Sequence, residues 1–185
     1  MTSLHTAFLA ITPPQAVLDA VDGLLERSTD RRFVWTAWQQ WHVTLQFYGR
    51  VANAEALTDA LLHSLAEIEA VTLRLRGAGA FPQPAKADVF WLGMETSLEL
   101  VRLYEAVKDA SGAFVGGRDR VAFRPHLTLA RMRRATDLRP DVEVLEGVAV
   151  GPQWLASEVV LIESETGSKG AVHTEVSRIP LRLPK

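Results

Sequence analysis

The chain contains no cysteine, which excludes disulfide bonds, thiolate nucleophiles and zinc sites built on cysteine. It also lacks a surplus of positive charge, since 20 lysines and arginines stand against 22 aspartates and glutamates and the net charge is −2. Binding along an extended nucleic-acid duplex would need a basic surface, so a partner of that kind is not expected. A short or terminal nucleic-acid contact remains compatible with this charge.

Long hydrophobic runs are absent as well. The apolar run at residues 7–11 is short, lacks a basic lead-in and is followed by Pro13 and Pro14, so no secretory signal peptide is expected. No segment approaches the length of a membrane span. We therefore expect a cytoplasmic protein without membrane contact, and 185 residues suit one domain or one compact pair of lobes.

The chain does contain a seven-residue segment that occurs twice in variant form, WHVTLQF and PHLTLAR, each with the motif His-x-Thr-Leu. Successive side chains of a strand point to opposite faces, so His42 and Thr44 share one face, as do His126 and Thr128. The apolar residues at the alternate positions are predicted to anchor both strands in the core: Val43, Leu45, Leu127 and Leu129.

Two histidines that face one cleft suit acid–base chemistry at phosphorus. In-line displacement needs one group to take a proton from the attacking oxygen and another, on the opposite side, to give one to the leaving oxygen. The threonine two residues after each histidine can donate a hydrogen bond to a non-bridging phosphate oxygen. A metal site is the competing interpretation, but neither histidine has a histidine at i+4 and threonine is a poor zinc ligand, so no metal and no cofactor is expected.

The rest of the chain reads as an α+β protein. Hydrophobic periodicity predicts eight or nine strands and three helices, too few helices for a parallel sheet of alternating strands and helices. The helices are predicted to begin at a Thr12 cap, at an Asn53 cap and near Ser97, with the third ending near Gly112. The repeated histidine strand predicts two similar sheet lobes within a single domain over residues 1–185.

Between these helices the composition predicts several further segments. Glycine and proline predict a loop at residues 77–87, and the basic stretch 132–140 is predicted to be irregular. Alternating valines predict a strand within 142–150, and residues 154–162 are predicted to form one strand. A turn is predicted at 165–170 before the last strand.

With these motifs the chain resembles the two-histidine phosphoesterase superfamily and, within it, the RNA 2′,3′-cyclic phosphodiesterases, also named 2′-5′ RNA ligases. The resemblance runs over nearly the whole chain and rests chiefly on the two His-x-Thr-x motifs. It implies a bilobal fold in which two antiparallel sheets with flanking helices enclose a central cleft, and chemistry without a metal. It further implies an enzyme that hydrolyses the 2′,3′-cyclic phosphate of RNA ends, oligonucleotides or small cyclic nucleotides to a 2′-phosphate. We expect it to act as a monomer.

The resemblance also implies residue roles. By motif position, His42 resembles the general acid and His126 the general base, with Thr44 and Thr128 as phosphate-binding partners. The two motifs are equivalent in sequence, so the residues alone leave the assignment of acid and base open.

Two arginines are candidates for phosphate binding. Arg131 matches a family arginine that follows the second motif. Strict alternation instead places Arg124 on the face of His126, and Arg131 reaches the cleft only if the strand bends or ends near Ala130. Which arginine contacts phosphate therefore stays open.

Two positions bear on base recognition. Tyr48 falls on the His42 face under strict alternation, where it can stack a nucleobase or simply pack at the rim. It stands in the run Phe47-Tyr48-Gly49-Arg50, where family members often read Phe-Leu-Gly-Glu. Near the C-terminus His173 stands where an aromatic residue, often tyrosine, is common.

Two other functions fit the same residues. The cleft can capture an RNA-end phosphate without turnover. By microscopic reversibility, the same residues can also join a 5′-hydroxyl to a cyclic phosphate and form a 2′-5′ linkage.

Overall fold

The computed structural model describes residues 2–25, 30–115, 122–167 and 170–184, and these ranges contain nine strands and four α-helices. The strands are Leu4–Ile11 (β1), Phe33–Trp35 (β2), Val43–Val51 (β3), Val71–Gln83 (β4), Lys86–Met94 (β5), His126–Thr136 (β6), Ala149–Ala156 (β7), Glu158–Gly167 (β8) and Gly170–Pro180 (β9). The helices are Gln15–Leu24 (α1), Ala54–Leu65 (α2), Leu98–Ser111 (α3) and Arg139–Val144 (α4). The predicted α+β class is confirmed.

All nine described strands belong to one antiparallel sheet in the order β7-β4-β5-β6-β3-β1-β8-β9, with β2 paired to β6. The two motif strands, β3 and β6, are neighbours at its centre. Among the described residues they are joined by one pair of facing residues, Val43 and Leu127. The sheet thus has two halves, β3-β1-β8-β9 and β6-β5-β4-β7, that meet at a narrow seam between β3 and β6. These two halves correspond to the two antiparallel sheets that the sequence predicts, joined here into one.

The apolar residues of both motif strands form part of the core, as predicted. Val43, Leu127 and Leu129 have no exposed surface and Leu45 is 3% exposed. They pack in one hydrophobic cluster with buried residues of the first three helices, including Val17, Leu61, Leu100 and Leu103. Burying one face of each strand leaves its opposite face free to carry polar groups.

Helices α2 and α3 begin where the sequence predicts. The Asn53 side chain accepts a hydrogen bond from the backbone N–H of Ala56 at 3.0 Å, and the Ser97 hydroxyl accepts one from Leu100 at 3.1 Å. The prediction of a Thr12 cap is wrong, because α1 begins at Gln15 with Pro14 as its cap residue. A proline disfavours the helical conformation of the residue before it, so two consecutive prolines delay the helix start.

The predicted loop at residues 77–87 is also wrong, since β4 and β5 form a hairpin through this region with a turn between Gln83 and Lys86. The glycines here serve other needs. A Cβ atom on Gly79 would lie 2.2 Å from the Trp91 ring, so glycine allows close contact between strand and ring. Gly77 has a φ of +71° beside a register shift, a conformation that favours glycine.

Three later segments differ from prediction. The basic stretch 132–140 is not irregular, because β6 continues to Thr136, and its Arg133 and Arg134 are simply exposed on that strand. The valines at 142 and 144 belong to α4, which has a proline in its first turn, and this helix is the one that periodicity missed. Residues 154–162 do not form one strand: β7 ends at Ala156 and β8 begins at Glu158. The two strands lie in different halves of the sheet, since β7 pairs with β4 and β8 pairs with β1.

The predicted turn at 165–170 is shorter than expected. Glu165 pairs with Val172 within the β8–β9 hairpin, and residues 168 and 169 lie outside the described ranges. None of the helices in the described ranges is long and apolar enough to cross a bilayer.

Candidate active site

The two His-x-Thr motifs meet at the seam of the sheet, where they line one cavity of about 610 Å³. His42 and Thr44 come from the first half, and His126 and Thr128 come from the second. Arg131 lies in the same wall. The structure therefore brings together five of the residues that the sequence singled out.

Both histidine rings are held by the backbone in the same way. Nδ1 of His42 lies 2.6 Å from the carbonyl oxygen of Gln40, and Nδ1 of His126 lies 2.7 Å from the carbonyl oxygen of Arg124. A carbonyl oxygen only accepts hydrogen bonds, so Nδ1 carries the proton and donates in each ring. When the ring is neutral, Nε2 is then the atom that can accept a proton.

Each motif strand also contains a β-bulge directly after its threonine. From Thr44 to Gln46, β3 advances by two residues while β1 advances by one. From Thr128 to Ala130, β6 advances by two residues while β5 advances by one. A bulge of this kind reverses the face to which the following side chains point. Strict alternation therefore fails beyond the threonine in both motifs.

The second bulge affects where the two candidate arginines lie. Arg131, five residues after His126, lies in the wall of the cavity that contains both histidines. Arg124 lines a neighbouring cavity of about 530 Å³, which His126 also borders. The condition stated for Arg131, a bend of the strand near Ala130, is met by the bulge after Thr128. Phosphate binding by either arginine stays a prediction.

The first bulge corrects the prediction for Tyr48. Its side chain is only 3% exposed and does not face the cavity, and its hydroxyl donates a hydrogen bond to Ser111 Oγ at 3.0 Å. Burial raises the pKa of Tyr48 to about 12. The exposed aromatic residue is Phe47, which is 55% exposed and borders both cavities. Strict alternation missed Phe47 because only the register with β1 reveals the bulge.

His42 lies within a cluster of rings. Phe8 stacks on it with ring centroids 4.6 Å apart, and His173 meets it edge-on at 5.2 Å. The pKa of His42 is lowered to about 4, chiefly by burial; the Gln40 carbonyl opposes this shift, and the charges of His173 and His126 add to it. Burial also lowers the pKa of His173. The neutral form of His42 is therefore strongly favoured until an anion binds nearby.

His126 has different neighbours. Phe81 meets it edge-on at 5.0 Å, and Trp91 lies at 5.6 Å with its plane tilted by 51°. Burial lowers the pKa of His126, and the hydrogen bond to the Arg124 carbonyl opposes this shift. Both of these neighbours are uncharged, whereas one ring neighbour of His42 is the ionisable imidazole of His173.

Two residues of the His42 half were not predicted from sequence. Phe8 belongs to a strand that reads as buried, yet its ring forms part of the cavity wall. The Gln40 side chain donates a hydrogen bond to the carbonyl of Ala171, which ties the segment before the first motif to β9. Long-range pairing creates both contacts, and no local pattern signals them.

Groups of three or more histidine, aspartate or glutamate side chains that could hold a metal ion do not occur in the part of the chain that the structure describes. Each cleft histidine uses Nδ1 for a backbone carbonyl, so at most one nitrogen per ring could ligate an ion. Chemistry without a metal stays a prediction.

The sequence has relatives with assigned names. The family model described as the 2′-5′ RNA ligase superfamily matches residues 13–168. The RNA 2′,3′-cyclic phosphodiesterase of Thermus thermophilus is 33% identical over 153 residues, which cover 77% of this chain and 73% of that protein. The protein of the same name from Methanothermobacter thermautotrophicus is 29% identical over 177 residues, which cover 92% of this chain and 95% of that protein.

Solved structures share the fold. TT0787 of Thermus thermophilus superimposes with a TM-score of 0.80 at 24% identity, covering 97% of this chain and 100% of that chain. LigT of Escherichia coli in its apo form gives a TM-score of 0.75 at 22% identity, covering 97% of this chain and 99% of that chain. The arrangement of strands and helices is therefore common to all three proteins.

Proposed function

Because the chain belongs to the 2′-5′ RNA ligase superfamily, we propose that it is a phosphoric diester hydrolase that opens 2′,3′-cyclic phosphate ends of RNA or oligonucleotides to a 2′-phosphate. Relatives named RNA 2′,3′-cyclic phosphodiesterase support this choice of substrate. So does the crystallisation of LigT with 3′-AMP, since that structure has the same fold. The observation that carries the proposal is the shared cavity, which is lined by two histidines with equivalent backbone hydrogen bonds and by two threonines.

The proposed reaction is a single in-line displacement. Nε2 of His126 accepts a proton from a water molecule while the water oxygen attacks phosphorus. The bond from phosphorus to O3′ breaks, and Nε2 of His42 gives its proton to O3′. The product carries the phosphate on O2′ and a free 3′-hydroxyl. Two proton carriers on opposite sides of the phosphate are what this displacement requires.

The remaining cavity residues act on the charge that builds up on the phosphate. The hydroxyls of Thr44 and Thr128 donate hydrogen bonds to the two non-bridging oxygens, one from each half of the sheet. The guanidinium of Arg131 adds a fixed positive charge to the same wall. Donors placed in advance at the site of developing charge are each worth about 3 kcal/mol in comparable enzymes.

The low pKa of His42 sets a condition on its role as the acid. With a pKa of about 4, its ring is mainly neutral at neutral pH in the free protein. A phosphate anion in the cavity favours the protonated ring and raises this pKa, because an opposite charge stabilises the imidazolium. His42 therefore becomes a competent acid through binding of the substrate itself.

Incubation with 2′,3′-cyclic AMP and identification of the product by ³¹P NMR test the proposal. We expect 2′-AMP, formed at the same rate with and without a chelator. Formation of 3′-AMP would contradict the assigned direction of ring opening. Tight, salt-sensitive binding of a phosphorylated RNA end without any hydrolysis would favour the alternative, an RNA-end binding protein.

The second cavity favours one further activity, ligation. His126 borders it, as do Thr44 and Phe47 of the first motif strand, and aromatic rings of Phe81, Tyr104 and Phe123 line it together with Arg124. Its volume of about 530 Å³ and aromatic wall suit a nucleoside. If the 5′-hydroxyl of this nucleoside takes the place of the attacking water, the same displacement forms a 2′-5′ linkage.

Product analysis with two RNA fragments, one ending in a cyclic phosphate and one beginning with a 5′-hydroxyl, tests this activity. We expect a 2′-5′ linked product at high RNA concentration. The Phe123→Ala variant should lower the ratio of ligation to hydrolysis, and an unchanged ratio would contradict the assignment of the second cavity.

We propose that a monomer with two lobes, the two halves of the sheet, is the active form, because a single chain brings both motif histidines into one cavity. Light scattering at the concentration of the activity assay should give a mass near 20.4 kDa.

A further inference from the structure

His173 is an ionisable residue of the cavity to which the proposed mechanism gives no task. It lies on β9 and lines the same cavity as both motif histidines and Arg131. Its ring contacts Phe8 and His42, each edge-on with centroids 5.2 Å apart. The side chain is neither fully buried nor fully exposed, so it reaches both the cavity and solvent.

The two halves of the cavity differ in fixed charge. In the second half the residue five positions after the histidine is Arg131, whereas in the first half it is Phe47. Among the described residues, the others that the His42 half contributes to the wall are uncharged, including Thr6, Phe8 and Ser164. Within these ranges, and apart from His42 itself, His173 is the cavity residue of that half that can become positively charged.

The structure also holds His173 in a defined position. Its strand is paired with β8 along its length, and Ser164 is its partner residue. The Gln40 side chain binds the Ala171 carbonyl two residues before it, and the Gln40 carbonyl accepts the hydrogen bond from His42. One glutamine therefore links the position of β9 to the orientation of the His42 ring.

We propose that His173 is a third substrate-contacting histidine, whose protonated ring binds the phosphate on the His42 side of the cavity and supplies there the charge that Arg131 supplies on the His126 side. The inference rests on the proposed function in that it takes the phosphate to be the group bound in this cavity. Charge-assisted hydrogen bonds to phosphate from two opposite walls would then hold the anion between the two proton carriers.

The charge of His173 depends on its surroundings. Burial lowers its pKa, and a bound anion opposes this shift because it stabilises the imidazolium. On β9 itself, Glu175 is engaged by Arg178 at 2.7 Å. In the described ranges, the titratable and charged groups that line the cavity with His173 are His42 from the segment before β3 and His126 and Arg131 from β6. The cavity residues of β1 and β8 in these ranges, Thr6, Phe8 and Ser164, are uncharged.

Two substitutions separate charge from shape. His173→Phe keeps a ring against Phe8 and His42 but cannot be protonated, and His173→Gln keeps a polar side chain without charge. His63→Phe is the matched control, because His63 is exposed on α2, away from the cavity. Thermal unfolding checks that all three variants fold like the wild type.

Sulfate is the probe for anion binding, because its charge stays constant between pH 5 and 8. We expect the wild type to bind sulfate more tightly as pH falls. At pH 5.5 both His173 variants should bind it about tenfold more weakly than the wild type, the scale of one charge-assisted hydrogen bond, with a much smaller difference at pH 8. In histidine NMR spectra of the wild type, sulfate should raise the pKa of His173.

Kinetics with 2′,3′-cyclic AMP at pH 5.5 give the second measurement. We expect both variants to raise KM about tenfold with a smaller effect on kcat, since the lost contact is made in the bound ground state as well. A loss of kcat with unchanged KM and unchanged sulfate affinity would overturn the inference, since His173 would then act only through His42. Sulfate binding needs no turnover, so an absence of hydrolysis in the wild type would contradict the proposed function but not the role of His173 in anion binding.

Discussion

The two halves of the cavity share one backbone design. In each half a histidine donates from Nδ1 to the carbonyl two residues before it, at 2.6 Å for His42 and 2.7 Å for His126. In each half a bulge follows the threonine and turns the residue five positions after the histidine into the cavity. The backbone therefore presents the same set of positions twice.

The side chains that surround this design differ between the halves. His42 packs between a phenylalanine and a third histidine, whereas His126 packs between Phe81 and Trp91. The position after the bulge is Phe47 in one half and Arg131 in the other. The repeated motif therefore gives the two histidines equivalent backbone positions, and the side chains of neighbouring strands give them unequal surroundings.

Replacing either motif histidine should have the largest effect on activity. We expect His42→Ala and His126→Ala each to lower kcat for 2′,3′-cyclic AMP by about 10³-fold, since each removes one of two proton transfers. Single-turnover measurements on variants with wild-type thermal unfolding would show the effect. The His63→Ala variant, on an exposed helix position, serves as the control. Wild-type turnover in either site variant would contradict the two-histidine mechanism.

The pH dependence of kcat/KM tests whether the two rings are unequal in the free protein. The acid must be protonated, so activity falls as pH rises through its pKa, and the base must be neutral, so activity falls as pH drops through its pKa. Both pKa values are lowered, that of His42 to about 4, so the maximum should lie below pH 6.5.

Above the higher of the two pKa values kcat/KM should fall by about tenfold for each pH unit. The decline of kcat, which reports the complex, should begin at higher pH, because bound phosphate raises the pKa of His42. A kcat/KM maximum above pH 7 would show that the cavity does not lower these pKa values.

Arg131→Ala and Phe47→Ala compare the two positions that follow the bulges. Loss of the guanidinium should lower kcat/KM by about 30-fold through a lost charge-assisted contact with phosphate. Loss of the phenyl ring should raise KM by about tenfold for cyclic nucleotides, since it removes a surface on which a base can stack. Arg133→Ala is the matched control, because Arg133 is exposed on the same strand as Arg131. Equal effects of the two arginine substitutions would contradict the placement of Arg131.

Substitution of the two threonines should have the smallest effect on activity, and the same change can be made in both halves of the cavity. Thr44→Val and Thr128→Val keep the side-chain shape and remove one hydroxyl from each half. We expect each to lower kcat/KM by about tenfold, the scale of one hydrogen bond to a charged group. Steady-state kinetics of both single variants and the double variant would show whether the two effects add, as expected for separate phosphate oxygens.

Sequence reasoning reached the parts of this protein that depend on local pattern. The repeated motif identified His42 and His126, the alternating apolar residues identified the core anchors, and the caps at Asn53 and Ser97 identified two helix starts. All three signals act within a few residues of chain. They are therefore readable without knowledge of the partner strands.

The errors at the candidate site involve contacts between distant segments. The bulges after Thr44 and Thr128 depend on how β1 and β5 pair with the motif strands, and this pairing moved Arg131 and Phe47 into the cavity and Tyr48 into the core. Gly79 was read as a loop residue because the Trp91 ring that it accommodates lies on another strand.

The narrow seam between the halves has a consequence for how this protein could be retuned. Within each half, many backbone residue pairs connect neighbouring strands. Between β3 and β6 the described ranges contain one residue pair, Val43 with Leu127. The alignment of the two imidazoles therefore depends on packing at this seam, where the side chains of Val43 and Leu127 are fully buried. A change in the size of residue 43 or 127 would disturb that alignment through the core while every polar group of the site is kept.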